Sequence, residues 1–254
     1  MGLLGVLLTT SILPSGVLIA VPLLLLLVRE GLRSTRVVAA AAVAALIAGS
    51  GTHDGLWFAE RAWSVLIGGG FLGLTMALPS WGLSQRALGA VLGAGAIATG
   101  MLALQADAWL ALDVAVSDRV RAGVDSTIHA MSTLGGREPL SPALVTALQE
   151  VADAQAAVFP ALTGLASMAA LGLAWWARTR LVGEGDPGLG PLKNFRFNDH
   201  LVWVLVAGLL LLVLQWGDAL VRVGSNTVVF MGALYTLRGA AVFMFVSGGL
   251  SLLG

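Results

Sequence analysis

The feature that most constrains this chain is a series of long stretches without a single charged side chain. They cover 3–28, 37–52, 62–85, 87–106, 154–177 and 201–217, and a last stretch, 223–254, is interrupted only by Arg238. A helix needs about 20 apolar residues to cross a hydrocarbon core roughly 30 Å thick. Lipid offers the backbone no hydrogen bonds, so only helices and closed barrels span it. Barrel strands would be about 10 residues long and alternating in polarity. Runs of this length therefore predict an all-α, polytopic transmembrane bundle of seven spans. The second span is short unless it continues through His53 and Asp54 toward Trp57, and the first could instead be two half-helices broken at Pro14-Ser15-Gly16.

Composition agrees. With 57% hydrophobic and 11% charged residues and a mean hydropathy of +0.90, the chain has too little polar surface to be a soluble globule. Its 14 basic and 14 acidic residues leave no cationic surplus for a nucleic-acid partner, and the absence of Cys excludes a disulfide framework.

The charges between the runs predict an orientation, because cytoplasmic loops are enriched in Lys and Arg. Arg29, Arg33 and Arg36 outweigh Glu30 in the first loop, and Arg86 is alone in the third. Arg178, Arg180, Lys193 and Arg196 face Glu184, Asp186 and Asp199 in the fifth. The intervening segments are neutral or acidic. This alternation puts the N-terminus outside a bacterial cytoplasmic membrane and loops one, three and five inside. Trp57, Trp63, Trp81, Trp109, Trp175, Trp176, Trp203 and Trp216 all fall near predicted span ends, where indole favours the headgroup level. The first span has no charged segment before it and is expected to stay as an anchor. Val6 stands where a myristoylation signal needs Ser or Thr.

Three segments follow: spans one to four over 1–106, a polar segment over 107–153, and spans five to seven over 154–254. In the middle segment Trp109, Leu112, Val116, Val120, Val124, Ile128, Met131 and Leu134 recur every three or four residues, one face of an amphipathic helix. Gly135-Gly136 would end it, and Ser141-Pro142 has the form of a new N-cap and first turn. The expectation is an extramembrane helical hairpin, the alternative being two helices lying on the bilayer surface.

Signatures of catalysis are missing. The chain has no P-loop, no His-Glu-x-x-His and no Gly-x-Ser-x-Gly. His53-Asp54 and Asp199-His200 are neighbours that point about 100° apart on a helix, so neither makes a two-ligand site. No metal, cofactor or enzymatic activity is expected. Gly69/Gly73 and Gly89/Gly93 have the Gly-x-x-x-Gly spacing that lets helices approach closely in lipid, with Gly16/Ala20 a weaker version. In the last span Asn226, Tyr235 and Arg238 interrupt apolar sequence, and the latter two share a helix face. Ionisable groups inside a membrane face a cavity, the bundle interior or a partner. These three are the candidates for ligand contact or for an inter-helix lock, with Tyr235 the nearest candidate partner of Arg238.

The segment Phe195-Arg196-Phe197 ahead of a span bearing Trp203, then Asn226 and Leu234-Tyr235-Thr236-Leu237-Arg238-Gly239, resembles the YybS-like family of predicted membrane proteins. The long insertion between spans four and five is similar to that family's layout. The resemblance implies a distant likeness to the substrate-binding subunits of energy-coupling-factor vitamin transporters and to the membrane component of the rod-shape machinery. Members of that family continue into a further span and a polar tail, so the apolar end Ser251-Leu252-Leu253-Gly254 leads to the expectation of a longer natural chain.

Two functions follow as expectations. The first is a small-molecule binding or transport-type subunit that depends on a separate ATPase. The second is an assembly subunit whose hairpin docks a partner protein. Lipid and other membrane subunits are the expected partners. A polar cavity at mid-depth would favour the first; a dry bundle with an exposed apolar stripe on the hairpin would favour the second.

Overall fold

The computed structural model describes residues 14–30, 34–51, 55–105, 107–134, 141–183 and 198–246. Over these it is all-α. Nine α-helices follow in order: α1 Ser15–Glu30, α2 Thr35–Gly49, α3 Gly55–Ala77, α4 Leu83–Ala103, α5 Ala108–Leu134, α6 Pro142–Ala157, α7 Phe159–Val182, α8 Val202–Leu214 and α9 Asp218–Val246. A 3-10 turn, Asp199–Leu201, leads into α8. Three of the helices, α4, α7 and α9, are long and apolar enough to cross a membrane; α2 and the segment Asp199–Leu214 are apolar but shorter.

The helix limits differ from the uncharged runs in instructive ways. α2 stops at Gly49, where Ser50 turns extended, so it does not run on toward Trp57, which lies in α3. α3 begins ahead of Glu60 and Arg61, and α9 begins at Asp218, ahead of Arg222. Charges end an uncharged run in sequence but not a helix, provided they find partners, and these do. α9 also passes through Arg238 without a break. Residues 1–13, 52–54, 135–140 and 247–254 are outside the described residues, so the start of the first span, His53-Asp54, Gly135-Gly136 and the apolar C-terminal end are not part of this description.

Caps and turns have local causes. The Ser141 hydroxyl accepts the Leu144 N–H at 3.3 Å and Pro142 opens α6, the arrangement read from the sequence. Gly183 closes α7 at φ +77°, and Gly217 at φ +125° lets the chain reverse between α8 and α9.

α7 is the central helix. Its small residues Gly164, Ala166, Ala170 and Ala174 are buried, and α1, α4 and α9 pack around it. α3 fits against α1 and α4, α2 against α1, and α8 against α9. Leu18, Ile67, Phe71 and Leu171 are among the largest fully buried side chains of the core. Phe71 meets Trp175 edge to face at 5.8 Å between centroids. The outer surface of the bundle is apolar: Leu46, Val213, Phe243 and Phe245 stand exposed. Trp203 and Trp216 point outward near the two ends of α8.

Helix contacts replace the predicted glycine seams. A methyl group added at Gly69, Gly73 or Gly93 would meet nothing within 4 Å among the described residues, because these glycines face away from the neighbouring helices. At Gly89 it would meet the Leu74 side chain at 3.1 Å. The backbone approaches are elsewhere. At Gly68 it would lie 3.1 Å from the Pro22 Cα, and at Gly224 2.9 Å from the Gly208 carbonyl oxygen. Gly16 is close to Ile47, so the weaker Gly16/Ala20 pattern does lie at a helix contact.

Candidate functional site: a cleft beneath the α5–α6 pair

α5 and α6 pack against one another through Val116, Val120 and Ala152, with Leu112, Val124 and Phe159 around them. Arg121 adds a solvent-exposed ion pair to Asp153 at 2.9 Å. This pair of helices covers one end of the bundle, called here the hairpin end.

Two further ion pairs fasten α5 to the bundle. Arg119 donates to Glu60 of α3, whose side chain is only 2% exposed and also accepts from Arg61 at 2.7 Å. Arg61 in turn donates to the Ala48 carbonyl at 3.1 Å and to the Ser50 carbonyl, at the end of α2, and lies over the Trp57 ring. On the other side, Arg222 of α9 donates to Asp113 of α5 and stacks over Trp109 and Phe159. α5 thus ties α3 to α9 across the top of α7. Burying a charge costs several kcal/mol unless it is paired, and the network meets that requirement at Glu60.

Below α5 lies a cavity of about 850 Å³. Its walls come from α3, α4, α7, α8 and α9, and α5 crosses one end with Trp109, Leu112 and Val116. The lining is almost wholly hydrocarbon. Glu60 is its one charged lining residue among those described, and Thr99, Thr163 and Thr227 supply hydroxyls. One of these is engaged locally: Thr227 donates to the Val223 carbonyl at 2.8 Å. Trp63 also lines the cavity and donates its indole N–H to Ser167 of α7 at 2.9 Å.

The structure does not gather Asn226, Tyr235 and Arg238 into one site, and none of them lines the cavity. Asn226 sits at the hairpin end, where its Oδ1 accepts the Ala161 N–H at 2.9 Å and its Nδ2 donates to the Ala157 carbonyl at 3.0 Å. One amide thereby serves both the end of α6 and the start of α7. Arg238 is about 18 Å further along α9 at 1.5 Å per residue and forms an ion pair with Asp199, at the opposite end, at 2.6 Å. Tyr235 packs with the Leu165, Met231 and Leu234 cluster between α7 and α9. At the same opposite end Arg178, nearly buried, binds Glu30 at 2.6 Å.

Sequence reading placed Glu60 and Arg222 in loops, and did not single out Asp113 and Arg119 within the helical segment 107–153. The usable signal was the apolar periodicity around Glu60-Arg61: Trp57, Phe58 and Trp63-Ser64 keep the helical pattern going on both sides of the charges.

Residues 1–247 match the family described as predicted membrane protein, DUF2232. The chain belongs to that family. The DUF2232 match covers α1 through α9 and makes this a membrane protein. No curated protein and no solved structure matches the chain. For this DUF2232 protein, the ligand-binding and assembly likenesses implied by the YybS-like resemblance are therefore matters of proposal.

Proposed function

We propose that this protein is a small-molecule binding or transport-type subunit of a bacterial cytoplasmic membrane, without an ATPase of its own. The observation that carries the reading is the cleft of about 850 Å³ between α3, α4, α7 and the α8–α9 pair. That volume is in the range of ligand pockets, which are concave and mostly apolar. A polar cavity was the sign that would favour this reading; the cleft is apolar instead, so the reading is for a lipophilic ligand and not a hydrophilic one. In this reading seven spans cross the bilayer, with α5 and α6 outside and the N-terminus outside. The distribution of charge supports the orientation: Arg29, Arg36, Arg86, Arg178, Arg180 and Arg238 cluster with Glu30 and Asp199 at the end opposite the hairpin. No catalysis is assigned to the protein.

A second reading, an assembly subunit that docks a partner through the hairpin, is supported by Leu110 and Val114 of α5 and Val151 of α6, which remain exposed. One experiment separates the two. The full chain is purified from native membranes in mild detergent, and both small molecules and proteins that accompany it are identified. A stoichiometric small molecule is the expected result. A stoichiometric protein with no small molecule would favour assembly instead.

A further inference from the structure

The cleft has a shape that narrows the choice of occupant. Along α4 it is lined from Leu88 to Leu102, about 21 Å at 1.5 Å per residue. That exceeds the hydrocarbon depth of one leaflet, about 15 Å, half of the roughly 30 Å core. α4 and α9 each pack on α7, and the space between them is the cleft. On the flanks of that space Leu92 and Met101 of α4 and Val204 of α8 line the cleft and are at the same time exposed. At the depth of transmembrane helices such a mouth faces acyl chains, not water. The hairpin end is shut by Trp109, Leu112 and Val116 of α5, held from both sides by the Glu60–Arg119 and Asp113–Arg222 pairs.

Resting on the binding reading above, we propose that the cleft takes a membrane lipid drawn sideways from the bilayer, its hydrocarbon lying along α4 beneath α5. The chemistry of the wall favours this occupant. Glu60 already serves two arginines, so the lining offers no free charge to orient a hydrophilic solute. A transmembrane helix of a partner protein is a poor fit. It is about 10–12 Å across with its side chains and about 30 Å long for 20 residues, and α5 lies across its path.

The test uses the full chain in mild detergent and native mass spectrometry with lipid extraction. Gly95 lines the cleft, and a side chain grafted there meets nothing within 4 Å at its Cβ. Gly95→Trp should therefore fill the slot without disturbing the helices. The native protein is expected to carry one lipid per protein, and Gly95→Trp to lose at least tenfold of that occupancy while its melting temperature is unchanged. Ala98→Trp, on the same wall, is the second variant in case Gly95→Trp does not fold. A water-soluble ligand lost on cleft filling would overturn the lipid assignment and leave the binding reading standing. A lipid retained equally by native protein and both variants would overturn the placement in the cleft. No bound molecule of any kind would sink both.

Discussion

Arg119 of α5 donates to the carboxylate of Glu60 of α3 across 59 positions of sequence, and the Glu60 side chain is 2% exposed. A carboxylate so deeply placed needs partners, and Arg61 and Arg119 both reach it. The pair ties α5 to α3, adding to the apolar contact of Trp109 and Val116 of α5 with Phe159 of α7.

Glu60→Ala leaves two guanidinium groups around an empty site. It is expected to lower stability by about 3 kcal/mol, the scale for breaking a buried pair from one side. Glu60→Gln, which keeps the shape, is expected to cost less. Denaturant titration in mixed micelles measures both, and limited proteolysis should show α5 cut earlier in Glu60→Ala. A wild-type midpoint for Glu60→Ala would contradict the network.

Asn226 is bonded to the Ala161 N–H and to the Ala157 carbonyl. Asn226→Ala removes a cap and a carbonyl partner together, and a loss of about 1–2 kcal/mol is expected. Asn226→Asp keeps the acceptor and loses the donor, so its thermal midpoint should fall between the two. If Asp and Ala are equally damaging, the cap to α7 contributes nothing.

Gly224 and Gly69 should respond oppositely to the same change. At Gly224 a methyl group would lie 2.9 Å from the Gly208 carbonyl oxygen, so Gly224→Ala must push α8 and α9 apart, at about 1–3 kcal/mol. At Gly69 the space is open, and Ala is a better helix former by up to about 1 kcal/mol. Thermal unfolding in detergent should show Gly224→Ala lowered and Gly69→Ala unchanged or raised. A lowered midpoint for Gly69→Ala would restore the contact role that its spacing suggested.

The two ion pairs at the end opposite the hairpin differ in exposure, and so in their expected effect. Asp199 is 84% exposed, and exposed pairs contribute about 0–1 kcal/mol. Asp199→Asn and Arg238→Leu are each expected to change stability by less than about 1 kcal/mol. Arg178 is 6% exposed against Glu30 at 22%, and Arg178→Gln should cost about 3 kcal/mol. Similar losses at Asp199 and Arg178 would show that exposure does not rank these pairs.

Topology is open to direct chemistry, because the chain has no native Cys. Cysteines placed at Ser126 and Ser141 are expected to react with an impermeant thiol reagent in intact cells. Labelling only after lysis would invert the orientation.

What the sequence determined by itself was the class of structure and its rhythm. Uncharged runs long enough to span a bilayer dictate helices, because backbone groups in lipid must bond within their own segment. Local signals were equally legible: Ser141 and Pro142 open α6 because capping depends only on neighbours a few residues away. Tertiary structure decided the partners. Glu60 meets Arg119, Asp113 meets Arg222, and Arg238 meets Asp199 rather than drawing its ion pair from its own helix turn. It also decided which glycines touch, selecting Gly68, Gly208 and Gly224 over the regularly spaced Gly69 and Gly73. The reason is geometric. Spacing along a helix tells which residues share a face, but which face meets which neighbour is set by how α7 gathers α1, α4 and α9 around it. The cleft exists for the same reason: it is the space left where α4 and α9 both pack on α7 beneath α5, and no single stretch of sequence encodes it.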